Sequence, residues 1–195
     1  MPTDKGLATK KKILECSANL FLTKGYHNTG LNDILKALEL PKGCFYYHFR
    51  SKKDLAIQVA KYYADELRNR IQLITPAQNW SDFAKQFTDI FLENAKSNTC
   101  FGCPFAVLGS ELAFFDPQIA QAFLAPLKEL ICLFHTVFLS SGFSQKDAEV
   151  LSSKAFALFE GYLMYFRISQ DIKALYQLKQ QFLELGNKNE EKEKI

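Results

Sequence analysis

Apolar residues recur at intervals of three and four along almost the whole chain, and the interruptions fall on helix-stopping residues. Ile13, Leu14, Ala18, Phe21 and Leu22 form the first stripe, which predicts a helix over 7–24; Gly25 follows where a left-handed C-cap is wanted. A second helix takes Thr29 as its cap and carries Leu31, Ile34, Leu35 and Leu38. Leu40-Pro41 breaks it, and Pro41 suits the first turn of a third helix, Lys42 to Phe49. Ser51 and Asp54 make a capping-box-like start for a fourth, which runs to about Ile74 and stops before Pro76. A fifth covers 81–96. The break Cys100-Phe101-Gly102-Cys103-Pro104 leads into a sixth, from Pro104 to about Phe115. Asp116-Pro117 opens a seventh that reaches about Leu139, and Ser144 with Asp147 opens an eighth that reaches about Ile168. A ninth covers 171–185 with Gly186 as C-cap, and 187–195 reads as a frayed charged tail. No stretch alternates with period two, and there is no internal repeat or Gly/Ser linker. The expected fold is all-α, with nine helices.

Composition narrows the reading. A chain of 195 residues fits one large domain or two small ones. Nine Gly and six Pro are too few for a turn-rich all-β chain, and 18 Phe against one Trp suggest a large Phe-lined interior. No uninterrupted apolar run approaches the roughly 18–20 residues of a bilayer span, so no membrane association is expected. The N-terminus is basic and polar with no apolar h-region, which argues against a secretory signal. Five cysteines without small-scaffold spacing read as reduced thiols, so a cytoplasmic location is expected. Charge is uneven: residues 1–60 carry net +5 and the remainder net −2. A basic front of this kind either meets a polyanion or is simply a solvated surface.

Residues 29–50 favour the polyanion. Two short helices joined by a tight turn, flanked by basic residues, have the outline of a helix-turn-helix. Lys42, Gly43, Tyr46, Tyr47 and His48 crowd one short segment, which leaves a polar and aromatic surface facing outward above Phe45 and Phe49. Such a helix fits a major groove, with side chains reaching base edges or backbone. An ordinary surface helix leaves the paired tyrosines beside His48 and Lys42 unexplained.

Gly25-Tyr26, Thr29-Gly30-Leu31, Asp33-Ile34, the run from Pro41 to Phe49, and Ser51 to Leu55 together resemble the TetR family of bacterial repressors. Ile13-Leu14 and Leu20-Phe21 fit that family's first helix. The resemblance is dense over about the first 60 residues. It implies a homodimer of nine-helix subunits, each with a three-helix DNA-binding head (residues 1–55) and a helical ligand-binding and dimerisation body (56–195). Tyr46, His48 and Lys52 match the family's usual DNA-contacting positions, and Thr29, Lys42, Gly43, Cys44 and Tyr47 complete the candidate set. Two residues depart from the pattern: Glu39 stands where the turn usually has Gly, and Cys44 where the recognition helix usually has Ser or Thr. Lys10, Lys11 and Lys12 are placed to reach an adjacent phosphate run.

The body's aromatics are spread over several helices, including Phe83, Phe87, Phe91, Phe114, Phe115, Phe134, Phe159, Tyr165 and Phe166. Most read as core, though so many rings also suit an apolar ligand cavity. Candidate pocket residues are Phe87, Phe91, Phe166 and the polar Glu111, His135, Tyr162 and Arg167. Leu151, Ala155, Leu158, Phe159 and Tyr162 form an apolar stripe on the eighth helix. With Gly161 allowing close approach, it suggests dimerisation through the last two helices, or else intrachain core.

Cys100-x-x-Cys103 lacks two further zinc ligands and a βαβ context. Cys103 precedes Pro104 and so stands at a helix N-cap, where dipole and amides favour a thiolate. Gly102-Cys103-Pro104 through Ser110-Glu111-Leu112 also resembles a segment of one TetR subgroup, which includes an N-ethylmaleimide-responsive repressor. That resemblance makes Cys103 a candidate electrophile sensor and Cys100 a resolving partner; the alternative is a small buried packing residue. Cys16 and Cys132 read as core.

No nucleophile–base arrangement, metal constellation or phosphate loop is present in the sequence, so neither an enzyme nor a cofactor or metal is expected. The reading is a TetR-type repressor that binds a palindromic operator on double-stranded DNA as a homodimer. A small apolar or electrophilic inducer would release it. The competing class is a helical protein-interaction adaptor, which has no need of the basic, tyrosine-rich third helix.

Overall fold

The computed structural model describes residues 4–74 and 77–187, and no strand occurs among them. Nine helices follow one another: α1 Asp4–Lys24, α2 Leu31–Ala37, α3 Lys42–His48, α4 Lys52–Ile74, α5 Trp80–Lys96, α6 Pro104–Leu112, α7 Pro117–Ser140, α8 Gln145–Ser169 and α9 Lys173–Leu185. All nine expected elements are present, with ends shifted by a few residues. The expected stop before Pro76 and the tail beyond Asn187 lie outside the described residues.

Two caps differ from expectation. Thr29 is fully buried, and its hydroxyl donates to the carbonyls of Gly25 (2.8 Å) and Leu20 (3.3 Å). Gly30 is the N-cap of α2, and its N–H is taken by the Asp33 carboxylate at 2.7 Å. Thr29 therefore staples the α1–α2 corner rather than capping α2. Helix α6 ends at Leu112, three residues early, and leaves Phe114 and Phe115 exposed at 95% and 74% instead of in the core.

The helices form two compact units. Unit 1 joins Met1–Arg68 with Pro104–Leu127; unit 2 joins Asn69–Cys103 with Lys128–Ile195. A boundary at residue 55 separates the helix-turn-helix by motif. Packing draws the line elsewhere, because α6 and the first half of α7 pack with α1 and the first turns of α4. The cuts fall inside α4 and α7, the latter one residue after Pro126, which removes a backbone donor from mid-helix.

Unit 1 has an interior of Ile13, Phe21, Ile34, Phe45, Phe49, Leu55 and Val59. Unit 2 is built around rings. Trp80 stacks on Phe138 with centroids 3.7 Å apart, and its indole N–H donates to the Phe182 carbonyl at 2.6 Å. Phe87 lies within 6.1 Å of Phe83, Phe91, Phe134, Phe159 and Phe182, so the Phe-rich composition resolves mainly into packing. Helix α7 is long and apolar enough to cross a membrane by length and composition, with a mean hydropathy of 1.6. Lys128 and Glu129 divide it, so it contains no uninterrupted apolar run. Its Leu130, Phe134 and Phe138 are buried in unit 2.

Candidate nucleic-acid interface and sensor loop

Helix α3 is anchored by two rings and open everywhere else. Phe45 and Phe49 are buried, at 0% and 1% exposed, while Tyr46 and Tyr47 stand out at 53% and 74%. Lys42 and Gly43 are exposed, and Cys44 and His48 half-buried. A Cβ at Gly43 would meet nothing within 4 Å, so the backbone there is open to a large partner. The Tyr47 and His48 rings meet edge to face at 4.8 Å. Glu39, in the turn before α3, has φ +54°, so it occupies the left-handed conformation that explains why glycine suits this position.

Lys52 opens α4 beside α3, with its Nζ 4.2 Å from the Tyr26 ring centroid. Partial burial there lowers the Lys52 ammonium's pKa, against the opposing pull of Glu111 and Asp33. Lys10 lies over the Phe49 ring at 5.7 Å, and Lys11 and Lys12 are exposed along α1. Thr29, by contrast, is sealed beneath the corner with its hydroxyl already committed, so it is not available to DNA.

Glu111 accepts the N–H groups of Tyr26 (3.0 Å) and His27 (2.9 Å) at the α1–α2 corner. Gly25 has φ +88° there, which favours glycine, and a Cβ on it would sit 3.3 Å from a Glu111 carboxylate oxygen and press on the tether. Beside it, Phe115 meets the His27 ring at 5.1 Å, and Lys53 bonds Asp116 at 2.9 Å. That bond holds the Asp116 carboxyl below its ordinary range. Glu111 is thus a tether between α6 and the head. The sequence carried no signal for this, since the partners are backbone amides 85 residues away.

In unit 2 the segment 100–103 lies against α8. The Arg167 guanidinium donates to the Phe101 carbonyl, and a Cβ on Gly102 (φ +88°) would lie 3.3 Å from Arg167 Cδ. Cys103 is 5% exposed, and its thiol hydrogen-bonds Glu160 of α8. Both Glu160 carboxylate oxygens are buried and have no nitrogen or oxygen donor. Burial pushes the Glu160 carboxyl up to about 7, and the Cys103 contact opposes the shift. Burial likewise raises the Cys100 thiol. Glu160 was not among the expected site residues: a lone acid on α8 looks like a solvated face until the loop is seen covering it. Cys132, expected in the core, is exposed, and Cys16 is half-buried.

Among the remaining expected pocket residues, Phe87 and Phe91 meet edge to face at 5.3 Å. Phe87 and Phe166 are buried, whereas Phe91, Tyr162 and His135 are half-buried; His135 Nε2 is 3.2 Å from the Gln145 amide. On α8, Ala155 and Phe159 of the expected dimer stripe face the unit's interior. The apolar residues that α8 leaves exposed are Val150, Met164, Tyr165 and Ile168, with Gly161 open among them. Unit 1 also holds a cleft of about 430 Å³ between α6 and α7, lined by Phe105, Gly109, Pro117, Leu124 and Leu127 among others. Among the described residues no group of three or more His, Cys, Asp or Glu is placed to hold a metal ion.

Comparison with known proteins agrees with this geometry. The model of the tetR family of bacterial regulatory proteins matches residues 13–59. That of the C-terminal domain of LmrA/YxaF-like transcriptional regulators matches 76–181, more than half of the chain. The chain belongs to the TetR family. The HTH-type transcriptional regulator YxaF of Bacillus subtilis is 27% identical over 169 residues, covering 84% of this chain and 87% of YxaF. IcaR of Staphylococcus aureus, the negative transcriptional regulator of the biofilm operon icaADBC, is 28% identical, covering 75% of this chain and 91% of IcaR. The crystal structure of reduced E. coli NemR superimposes with a TM-score of 0.74 at 24% identity, covering 91% of this chain and 96% of NemR. As a TetR-family protein the chain is a transcriptional regulator with a helix-turn-helix head.

Proposed function

We propose that this TetR-family protein is a repressor that binds a palindromic operator as a homodimer and is released by a small apolar or electrophilic inducer acting on unit 2. One observation carries the reading: α3 buries Phe45 and Phe49 while turning Lys42, Gly43, Tyr46 and Tyr47 to solvent. Lys42, Cys44, Tyr46, Tyr47 and His48 meet the groove, and Lys52 and the α1 lysines hold phosphate. Repression is favoured by IcaR's role as a negative regulator. Two half-sites one helical turn apart need two heads, and the exposed apolar face of α8 with Tyr176 of α9 is the surface offered to a second copy.

The inducer acts through Cys103 and its loop, with Phe91, Tyr162 and His135 as half-buried candidate contacts in unit 2. Thiol chemistry is favoured by the likeness to NemR, a protein solved in a defined reduced form. Binding need favour one body conformation by only about 1–3 kcal/mol to change operator affinity 5–150-fold.

The test is selection of DNA from the source genome, followed by fluorescence anisotropy on the selected site. A two-fold symmetric site is expected, with affinity falling steeply with salt. Lys42→Ala should lower the salt slope by about one unit. Affinity unaffected by salt, or by both Tyr47→Ala and Lys42→Ala, would overturn the reading.

A further inference from the structure

The cleft between α6 and α7 in unit 1, about 430 Å³, falls within the roughly 300–1,000 Å³ of small-molecule sites. Its α6 wall is one helical face reduced to small side chains: Ala106, Gly109 and Ser110, with Ala113 just beyond the last turn. Leu124 and Leu127 make the opposite wall apolar. None of the described residues that line the cleft is ionisable. Two polar side chains stand at its exposed rim. The Ser110 hydroxyl donates to the Val107 carbonyl at 3.0 Å, and the Gln121 amide makes no hydrogen bond among the described residues.

Each wall is also hooked to the head. Next to Ser110, Glu111 turns away from the cleft and accepts the Tyr26 and His27 amides. Next to Pro117, Asp116 bonds Lys53 at 2.9 Å and accepts the Ile119 N–H at 3.3 Å. So α6 holds the α1–α2 corner, while the start of α7 holds the first turn of α4. Lys52 touches both sides of this arrangement, because it precedes Lys53 and packs its Nζ 4.2 Å from the Tyr26 ring centroid.

We propose that this cleft is a second effector site, for a small, neutral, predominantly apolar molecule carrying one hydrogen-bonding group. A charged molecule would give up hydration against walls that offer no counter-charge, whereas an apolar one gains by burial. Its polar group meets the Gln121 amide at the rim. A molecule seated against both walls fixes the spacing of α6 and α7, and with it the position of the α1–α2 corner relative to Lys52. It therefore favours whichever arrangement of the head its own size fits, and shifts the population toward that state. The site is distinct from the Cys103 loop, which belongs to unit 2, and it rests on the repressor reading only for its effect on DNA.

The experiment is fluorescence titration of the native full chain with N-phenyl-1-naphthylamine, a neutral dye that brightens in apolar surroundings. One saturable site per chain is expected. Its anionic counterpart, 8-anilinonaphthalene-1-sulfonate, should bind at least tenfold more weakly. Ala113→Phe fills the cleft from an exposed position and should weaken the neutral dye at least tenfold; Ala106→Leu fills it from the α6 wall and should do the same. Ala125→Phe, exposed on α7 outside the cleft, should leave binding unchanged. Absence of saturable binding overturns the proposal, and so does equal affinity for the two dyes. Parent-like binding by an Ala113→Phe protein that keeps its melting transition does so too, whatever Ala106→Leu does to the fold. Binding that appears only on dilution would mean that a second copy covers the cleft, which also overturns it. On the selected operator, saturating dye should change the parent's affinity at least threefold and leave Ala113→Phe unaffected. An unchanged parent affinity with the cleft occupied overturns the effector role. Lost DNA binding by dye-free protein with dye binding intact sinks the repressor reading and leaves the ligand site standing; intact DNA binding with no dye binding does the reverse.

Discussion

The two units solve the same problem, joining distant stretches of chain, with a different share of polar contacts. In unit 1, α6 and α7 bury Phe105, Leu108, Leu112, Ile119 and Phe123 and add part-exposed contacts at the rim: Glu111 on two backbone amides, Lys53 on Asp116, Phe115 against His27. In unit 2 the joining contacts are rings. Trp80, Phe83, Phe87, Phe134, Phe138, Phe159 and Phe182 form a continuous buried cluster. A polar bond near water exchanges partners at small net cost, whereas a packed aromatic core resists any rearrangement. The exception in unit 2 is the loop at Cys103, where the packing gives way to a thiol and an uncompensated acid.

Removing Trp80 tests the rigid side and should have the largest effect. Trp80→Ala deletes the stacked ring and leaves the Phe182 carbonyl without its donor, so a loss of about 3–5 kcal/mol is expected in urea denaturation. A loss below about 1 kcal/mol would mean the ring cluster is no more cohesive than unit 1.

The next effect concerns the exception. Glu160 has its folded-state carboxyl raised from 4.5 to about 7 by burial. Between those values the folded chain binds more protons than the unfolded one, so this group's contribution falls as pH rises from about 4.5 to about 7, and stays at the lower level above. Glu160→Gln mimics the protonated acid. It should stabilise the protein by up to about 3 kcal/mol at pH 8 and by nearly nothing at pH 4. Urea midpoints of parent and variant at the two pH values check this, and an equal gain at both would show that the acid is already ionised at low pH.

On the polar side, Glu111→Ala should cost about 1–2 kcal/mol, less than the Trp80 change, because water can replace the carboxylate at the half-open Tyr26 and His27 amides. Its larger consequence should be on DNA: loss of the tether should change operator affinity several-fold while α3 itself is untouched. A variant with normal affinity would show that the head's position does not depend on this bond.

The nine helices were legible because periodicity and caps are local. The outward face of α3 was legible because Phe45 and Phe49 fix which way a seven-residue helix turns. What escaped was decided at long range. Thr29 looks like a cap until the α1–α2 corner closes over it. Glu111 looks like a ligand contact until backbone amides from residues 26 and 27 arrive. Glu160 looks solvated until the 100–103 segment covers it, and Ala155 and Phe159 look like a partner face until unit 2 packs against them. In each case a polar or apolar label was read correctly and its neighbour was not.

The smallest effect separates strain from function in the head. Glu39 holds φ +54° in the turn before α3, and Asn98 and Gln170 in unit 2 hold φ +54° and +55°. Left-handed geometry costs a residue with a Cβ about 1–2 kcal/mol, and the extra freedom of glycine in the unfolded chain returns about 0.5–1 of it. Glu39→Gly should therefore stabilise by about 0.5–1 kcal/mol, a rise of a few degrees in Tm. Gln170→Gly, which has the same backbone angle far from the turn, should do the same. The two differ in where they lie: Glu39 stands in the turn between α2 and α3, and its removal also takes one negative charge from beside the DNA-facing surface. Glu39→Gly should tighten operator binding modestly and Gln170→Gly should leave it alone. Equal stabilisation with equal, unchanged affinity would mean that the strained turn is tolerated by the head without tuning it.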